Sequence, residues 1–496
     1  MHKPRVLLAL PRYRGFNHGL FLGIACLATA LKQSGADVEV FDEDVAAQAE
    51  TKTGCNAHQI LDRVLETFKP TLVGVHVNTP NYAAALQLSK RLREVTDVPI
   101  VAGGPHATVA TVCLLSRHAQ FDYVLRGEAD DSLPVLAWAL TSNRLLDDIP
   151  GLSRRIGSSV VHVVHNDSPP LLDCRRIPKP DRGVFLNPPD PDLRKYARST
   201  YLHNFTSSIP GFSGRMVAGA FSSRGCGYSC PFCSPSAFWA DTETSRPVRR
   251  LRLVEDLIGE LKEVRDLGYG AVFFDEPTFP MSSERVWIEE FTKQMKNLGL
   301  LWGAPTRLEE LDPELLPQLA DSGFRYAYFG LETPQPDLQS RIGKHAEIKT
   351  VHERLRACED NGIQCDVSLL FGGPGETDET VDATLLWMDQ CLPQGNAFFS
   401  LAAYWPGTAW SQAAGLTPEF WEPDFDHKRA EDLGLIWYPE SATSIERFYS
   451  NSTGTYHPAF LSVERALRIK ERIISSGFRA RFSQYARTLD APEFSA

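Results

Sequence analysis

The feature that most constrains this chain is a rhythm: short apolar runs suited to strands alternate with longer stretches whose apolar residues recur at helical spacing. In the first third, Arg5–Leu10, Val38–Phe41, Thr71–Val77, Ile100–Ala102 and Tyr123–Leu125 read as strands. Between and after them Leu22–Gln33, His58–Phe68, Ala83–Val95, Thr111–Arg117 and Leu133–Leu140 read as helices. The rhythm returns further on, with strands expected at Met216–Phe221, Ala271–Asp275, Leu300–Gly303, Tyr326–Gly330, Cys365–Phe371 and Ala397–Ala403. Helices are expected there at Leu253–Leu267, Ser283–Asn297, Pro313–Ser322, Ile348–Asn361 and Asp378–Gln390. Parallel neighbours need a crossover connection, so the pattern predicts an α/β protein with two parallel sheets, and 496 residues exceed what one core holds.

Between the two modules the pattern weakens. Val160–Val164 suggests a hairpin, and prolines crowd Pro169 to Pro191, which suits an extended connector with a fixed path. Beyond Gly415 come Trp421, Trp437, Tyr438 and Tyr449, interleaved with Glu422, Asp424, Asp426, Glu440 and Glu446, then an amphipathic helix at Val463–Ser476. Those residues suit either the wall of a pocket for a polar, ring-shaped or cationic molecule or a small core with a solvated rim.

Composition narrows the class. The chain is 43% hydrophobic and 23% charged, an ordinary globular balance. No apolar run approaches the roughly 20 residues that span a bilayer, and the first five residues lead directly into a strand, so no membrane and no signal peptide is expected. The expected location is cytoplasmic. Seven of the ten cysteines are scattered and then read as thiols of a reducing compartment. A net charge of −11 argues against a nucleic-acid partner, and the basic cluster Arg246, Arg249, Arg250 and Arg252 is expected to act locally.

Three cysteines stand apart from the rest: Cys226, Cys230 and Cys233, in Cys-Gly-Tyr-Ser-Cys-Pro-Phe-Cys. Three thiolates on one loop can ligate three irons of a four-iron, four-sulfur cube and leave the fourth open. Zinc is the weaker reading, because Ser234 to Trp239 offer no fourth ligand. In parallel barrels the reactive groups sit at the carboxyl ends of strands. Asp275-Glu276 follow the second strand of this module, Arg307 the third, Glu332 the fourth and Gly372-Gly373-Pro374-Gly375-Glu376 the fifth. Caps on the adjacent helices are the plainer role for such carboxylates.

The cysteine loop, with an apolar strand before it and Phe232 ahead of its last cysteine, resembles the radical S-adenosylmethionine (SAM) superfamily. That resemblance implies that Cys226, Cys230 and Cys233 hold the cluster, and that the open iron binds SAM for cleavage to a 5'-deoxyadenosyl radical. It places Asp275 and Glu276 at the SAM amino group, Arg307 and Glu332 at its carboxylate, ribose or amino end, and Gly372 and Gly373 at the adenine side. A flavodoxin or ferredoxin is the implied reductant.

The first module lacks the GxGxxG of a dinucleotide site. Leu22-Gly23 opening its first helix, Asn78-Thr79, Gly103-Gly104-Pro105-His106 and Gly127-Glu128 instead resemble the cobalamin-binding domain that precedes many radical SAM enzymes. Cobalamin is therefore a further implied cofactor, with Asn78, Thr79, Gly103 and Gly104 around it. The Asp-x-His-x-x-Gly motif is absent, His18 lies in the first loop, and Leu20-Phe21 stand where such domains carry Pro-Pro. Tyr13 and Phe16 in that loop would fill the ring's space if the domain had kept its fold and lost the cofactor.

The resemblance sets the expected architecture. Residues 1–141 form a flavodoxin-like, doubly wound domain, 142–212 a hairpin and connector, 213–412 a partial (β/α)6 barrel, and 413–496 an α-rich segment on the substrate side. The implied function is modification of an unactivated carbon in a small natural-product or antibiotic intermediate, by cobalamin-dependent methylation. Cobalamin-independent dehydration of a cationic, aminoglycoside-like sugar is the alternative, and a non-catalytic iron–sulfur scaffold is a third reading.

Overall fold

The computed structural model describes residues 2–12, 20–53, 56–157, 162–203, 210–212, 214–239, 246–391, 396–425, 436–439, 456–459, 468–469 and 471–473. His18, Tyr13, Phe16, Tyr449, Asp426, Glu440, Glu446, the side chains of Trp437 and Tyr438, and most of the expected helix at Val463–Ser476 lie outside the described residues. The chain divides into two compact units, one of Met1–Asn204, Ala237–Arg250 and Gly415–Glu422, the other of Phe205–Ser236, Leu251–Ala414 and Pro423–Ala496.

In the first unit β1 (Arg5–Leu10), β2 (Asp37–Asp42), β3 (Leu72–His76), β4 (Ile100–Gly103), β5 (Tyr123–Leu125), β6 (Leu152–Ile156) and β7 (His162–His165) form one sheet in the order β2-β1-β3-β4-β5-β6-β7. The first five run parallel, and β6 and β7 add antiparallel. Strand β1 is an interior strand between β2 and β3, and Val6 to Leu10 are all at most 2% exposed, because helices cover both faces. Chain order reverses between β1 and β3, the switch point where such sheets bind ligands beyond the strands' carboxyl ends.

The expected hairpin thus continues the first sheet. Helix Pro191–His203 also replaces the tail of the expected extended connector. Its signal was present: Leu193, Tyr196, Ala197, Thr200 and Tyr201 recur at helical spacing and are all buried. Proline at its first position suits a helix start, although the preceding proline run masks the pattern. A second helix with no counterpart in the sequence reading, Glu43–Thr53, follows β2 directly.

Glu422, expected in the C-terminal segment, is buried in this first unit. Its Oε1 accepts from the Tyr82 hydroxyl at 2.7 Å and the Cys113 thiol at 2.9 Å, and its Oε2 lies 2.8 Å from His118 Nε2. Burial alone would raise its pKa, but the hydrogen bonds from His118, Cys113 and Tyr82 outweigh that and lower it. A depressed carboxyl pKa stabilises the fold above the ordinary carboxylate range, and that stabilisation is lost as pH falls through the folded-state value. Glu422→Ala strands three donors at about 1–3 kcal/mol each. Urea unfolding should therefore show a loss of about 3 kcal/mol or more at neutral pH, shrinking in acid; an unchanged midpoint would contradict the clasp.

The second unit holds six parallel strands in consecutive order: Val217–Ala220, Ala271–Phe274, Leu301–Thr306, Phe324–Glu332, Gln364–Phe371 and Asn396–Leu401. These are the six strands of the expected partial barrel, with ends shifted by a few residues. An aromatic cluster fills the space under the second and third strands: the rings of Phe274 and Phe279 lie 4.7 Å apart, and those of Trp302 and Phe324 4.4 Å apart. The fourth strand carries an irregularity between Gly330 and Glu332, with Glu332 at φ 69°. That left-handed backbone is unusual for a residue with a Cβ, and it turns the Glu332 side chain out of the strand's regular alternation.

Candidate functional site

The cysteine loop follows the first barrel strand and is pinned from several sides. Cys233 N donates to Cys230 O at 3.1 Å, the Ser236 hydroxyl donates to Cys233 O at 2.6 Å, and Trp410 N donates to Pro231 O at 3.0 Å. Gly343 packs beneath it, where a Cβ would come within 3.4 Å of Pro231. At the loop's root Glu276 is buried and fully engaged: one oxygen accepts from Ser222 N at 3.0 Å and Ser222 Oγ at 2.8 Å, the other from Ser223 Oγ. The sequence reading put Glu276 beside Asp275 at the SAM amino group. The structure gives it the task of joining the second strand to the start of the loop.

The three thiols sit close enough to oppose one another's ionisation. Cys233 is pushed up to about 12 by burial and by the neighbouring Cys230 and Cys226, and burial also raises Cys230, where Lys344 and Arg307 partly counter it. Iron cations would reverse that penalty, since metal-bound thiols are deprotonated. No three His, Cys, Asp or Glu side chains among the described residues converge on a single ion. Thiolates of a cube bind separate irons and stand further apart than the ligands of one zinc, so three such thiols need not converge on one point.

The strand ends surround this loop. Arg307 lies with its guanidinium 4.0 Å from the Tyr228 ring centroid and its Nη1 3.6 Å from Cys230 Sγ. Burial would lower its pKa, but Glu309, bonded to Nη2 at 2.9 Å, more than offsets this and holds the cation. The Tyr228 hydroxyl donates to Glu310 at 2.7 Å, and Glu310 also accepts from Ser283 N and Oγ at 3.1 and 2.9 Å. Glu332 is held by Lys344, whose Nζ donates to Oε1 at 2.9 Å and to Gly330 O, and by Ser368 Oγ at 3.2 Å from Oε2. Asp275 differs from all of these. Its carboxylate has no hydrogen bond or ion pair among the described residues, the surrounding protein raises its pKa, and it remains solvent-accessible. It is a ready acceptor for an ammonium.

Gly372 and Gly373 begin a turn that Glu376 closes, its carboxylate accepting from Gly372 N while its own N–H donates to Gly373 O at 3.1 Å. Gly375 stands at φ 87°, a backbone region that favours glycine, and a Cβ there would press to 3.1 Å on the Arg341 side chain. The residues missed from sequence are Lys344, Glu309, Glu310, Tyr228, Ser222 and Ser223. Lys344 lies well beyond the fourth strand, while the others stand beside strand ends or within the cysteine loop, and in every case the partner that gives the residue its role is supplied only by the fold.

In the first unit Asn78 and Asn81 exchange hydrogen bonds at 2.9 and 3.0 Å to open helix Tyr82–Val95, and Thr79 Oγ1 lies 3.1 Å from His106 Nδ1. The His106 ring in turn lies 4.1 Å from that of Tyr82. Gly103 and Gly104 end β4. A Cβ on Gly103 would meet only Leu125 O at 3.8 Å, whereas one on Gly104, at φ 107°, would strike Val77 O at 2.7 Å. Gly104 is thus required by the turn, and Gly103 leaves an open backbone face that a flat ring or nucleotide tail can approach. Burial pulls His76, at the end of β3, down to about 4, so it is neutral at physiological pH. These features fit a corrin at the switch point. Arg250 chelates Glu128 at 2.7 and 2.9 Å, and Arg252 pairs with buried Glu260 at 2.7 Å, which gives the basic cluster the local role expected of it.

A six-stranded open α/β barrel with a three-cysteine loop after its first strand defines a radical SAM domain, and here it shares a chain with a doubly wound sheet suited to cobalamin. Residues 221–388 match the radical SAM superfamily and residues 18–137 the B12 binding domain, so the chain carries a radical SAM domain preceded by a B12-binding domain. It is an enzyme whose radical SAM domain implies a four-iron, four-sulfur cluster and SAM, and whose B12-binding domain supports cobalamin as a further cofactor. It is 25% identical over 483 residues to the anaerobic magnesium-protoporphyrin IX monomethyl ester cyclase of Rubrivivax gelatinosus, covering 94% of this chain and 80% of that one. It is 24% identical over 431 residues to the cytidylyl-2-hydroxyethylphosphonate methyltransferase of Streptomyces wedmorensis, covering 80% and 79%. In structure it is similar to the radical SAM methyltransferase TsrM from Kitasatospora setae, solved with cobalamin and a 4Fe-4S cluster bound, with a TM-score of 0.64 at 21% identity over 84% of this chain and 75% of that one. No helix among the described residues is long and apolar enough to cross a membrane.

Proposed function

We propose that this protein is a cobalamin-dependent radical SAM methyltransferase that methylates an unactivated carbon of a small natural-product intermediate. The observation that carries the reading is the pairing, on one chain, of the three-cysteine loop with a B12-binding sheet. When bound, the cluster and SAM supply a carbon radical, and the corrin supplies a methyl group drawn from a second SAM.

The chain's own residues bind and orient. Cys226, Cys230 and Cys233 hold the irons, Arg307 and Lys344 place positive charge beside the thiolates, and Glu276 fixes the loop to the sheet. Asp275 takes the SAM ammonium, Glu332 the amino or ribose end, and the backbone of Gly372 and Gly373 the adenine. A flavodoxin or ferredoxin delivers the electron, in the cytoplasm. Dehydration of an aminoglycoside-like sugar is disfavoured by the B12-binding domain, which that reaction does not need. The cyclase similarity supports a second reading, in which carbon chemistry proceeds without net methylation.

The test uses anaerobically reconstituted protein with hydroxocobalamin, reductant, SAM carrying a deuterated methyl group, and small-molecule extract from cells lacking the gene. Methylation consumes two SAM molecules, so S-adenosylhomocysteine and 5'-deoxyadenosine should form together and a new compound should carry the deuterated methyl. Extract-dependent 5'-deoxyadenosine without S-adenosylhomocysteine would favour the cyclase or dehydratase reading.

A further inference from the structure

Of the histidines near the carboxyl edge of the first sheet, two are already committed. His106 is bonded to Thr79 and stacked on Tyr82, and His118 is bonded to Glu422. His76 is not. It is the last residue of β3, one of the two strands that flank the switch point. Its carbonyl accepts from Asn81 Nδ2 at 3.4 Å, yet its imidazole has no hydrogen-bond partner among the described residues. The ring is nonetheless placed. Phe21 lies against it with centroids 5.6 Å apart, and Gly104 backs its Nδ1–Cε1 edge so closely that a Cβ there would stand 3.1 Å from both atoms. The ring is only partly buried, so an edge of it stays open to a ligand. Such a ring suits a ligand that takes a nitrogen lone pair, and neutral imidazole is the commonest protein ligand for metals.

We propose that His76 ligates the cobalt of the bound corrin through Nε2, the nitrogen turned away from Gly104. The fold replaces the ligand that the missing Asp-x-His-x-x-Gly motif would have carried on the first loop with one on the neighbouring strand, and Phe21, beside Leu20 where a Pro-Pro pair is usual, becomes the packing partner that sets the ring. This rests on the domain holding cobalamin.

The test is electron paramagnetic resonance of the holoprotein, loaded with hydroxocobalamin, freed of excess by gel filtration and reduced chemically to the cobalt(II) state. A nitrogen ligand splits each high-field cobalt line into a triplet. In protein grown with histidine carrying the spin-half nitrogen isotope, the triplet should become a doublet, which separates a protein imidazole from the corrin's own benzimidazole. His76→Ala should lose the splitting while retaining the corrin, and His18→Ala should keep it. A triplet unchanged by labelled histidine, an absence of nitrogen splitting, or loss of the splitting in His18→Ala alone would each overturn the assignment. Failure to retain any corrin would overturn both this assignment and the cobalamin reading, whereas a retained corrin without histidine nitrogen overturns this one only.

Discussion

Replacing Cys226, Cys230 and Cys233 together by alanine should abolish both the iron content and the visible absorbance of the anaerobically reconstituted protein, and with them all reductive cleavage of SAM. The effect should be complete, because a cube with no thiolate ligands has nothing else at this loop to hold it. The fold should survive. The loop is pinned by backbone bonds and by Glu276, while the barrel's core lies elsewhere, around Phe274, Trp302 and Phe324. Circular dichroism should match the wild type, and the first unit should still bind cobalamin. A triple variant with its full complement of iron would show that the ligands are other residues.

The second large effect concerns SAM itself. Glu332→Ala should weaken SAM binding by roughly one to two decades, the size of one charge-assisted contact of about 1.5–3 kcal/mol, without loss of iron. Lys344→Met should do nearly as much, since Lys344 fixes the Glu332 carboxylate and lies close to the cysteine loop. Asp275→Asn should also weaken binding, because the amide keeps the shape of the free carboxylate but loses its attraction for an ammonium. Equilibrium dialysis with the cluster intact reads all three. Unchanged affinity in all of them would remove the second and fourth strand ends from the SAM site.

Both variants at the fourth strand turn on its local geometry, which the sequence alone hides. Glu332 reads there as one acid at a strand end, and nothing local shows that it sits at φ 69° or that Lys344, twelve residues on, will reach back to it. Glu276 gives the opposite case. It follows Asp275 directly, which pairs the two in the sequence, but both lie past the strand's last residue, Phe274, and the turn there sends them into different surroundings. One becomes an accessible acid and the other a buried anchor.

The parts legible from sequence were those that rest on local rules. Strand and helix alternation set the two parallel sheets, because periodicity and crossover connections depend on near neighbours. The spacing of three cysteines limited the metal chemistry, because ligands eight residues apart or fewer are held together by the loop itself. What only the tertiary structure decided are the meetings of distant residues: Glu422 with Tyr82, Cys113 and His118, Arg307 with Cys230, Glu276 with Ser222, and His76 with Phe21 and Gly104. Each joins residues far apart along the chain, where the sequence records each side chain but not the packing that brings them together. The amino-acid order therefore determined which chemistry was available, and the packing of strands and helices decided which groups were free to use it.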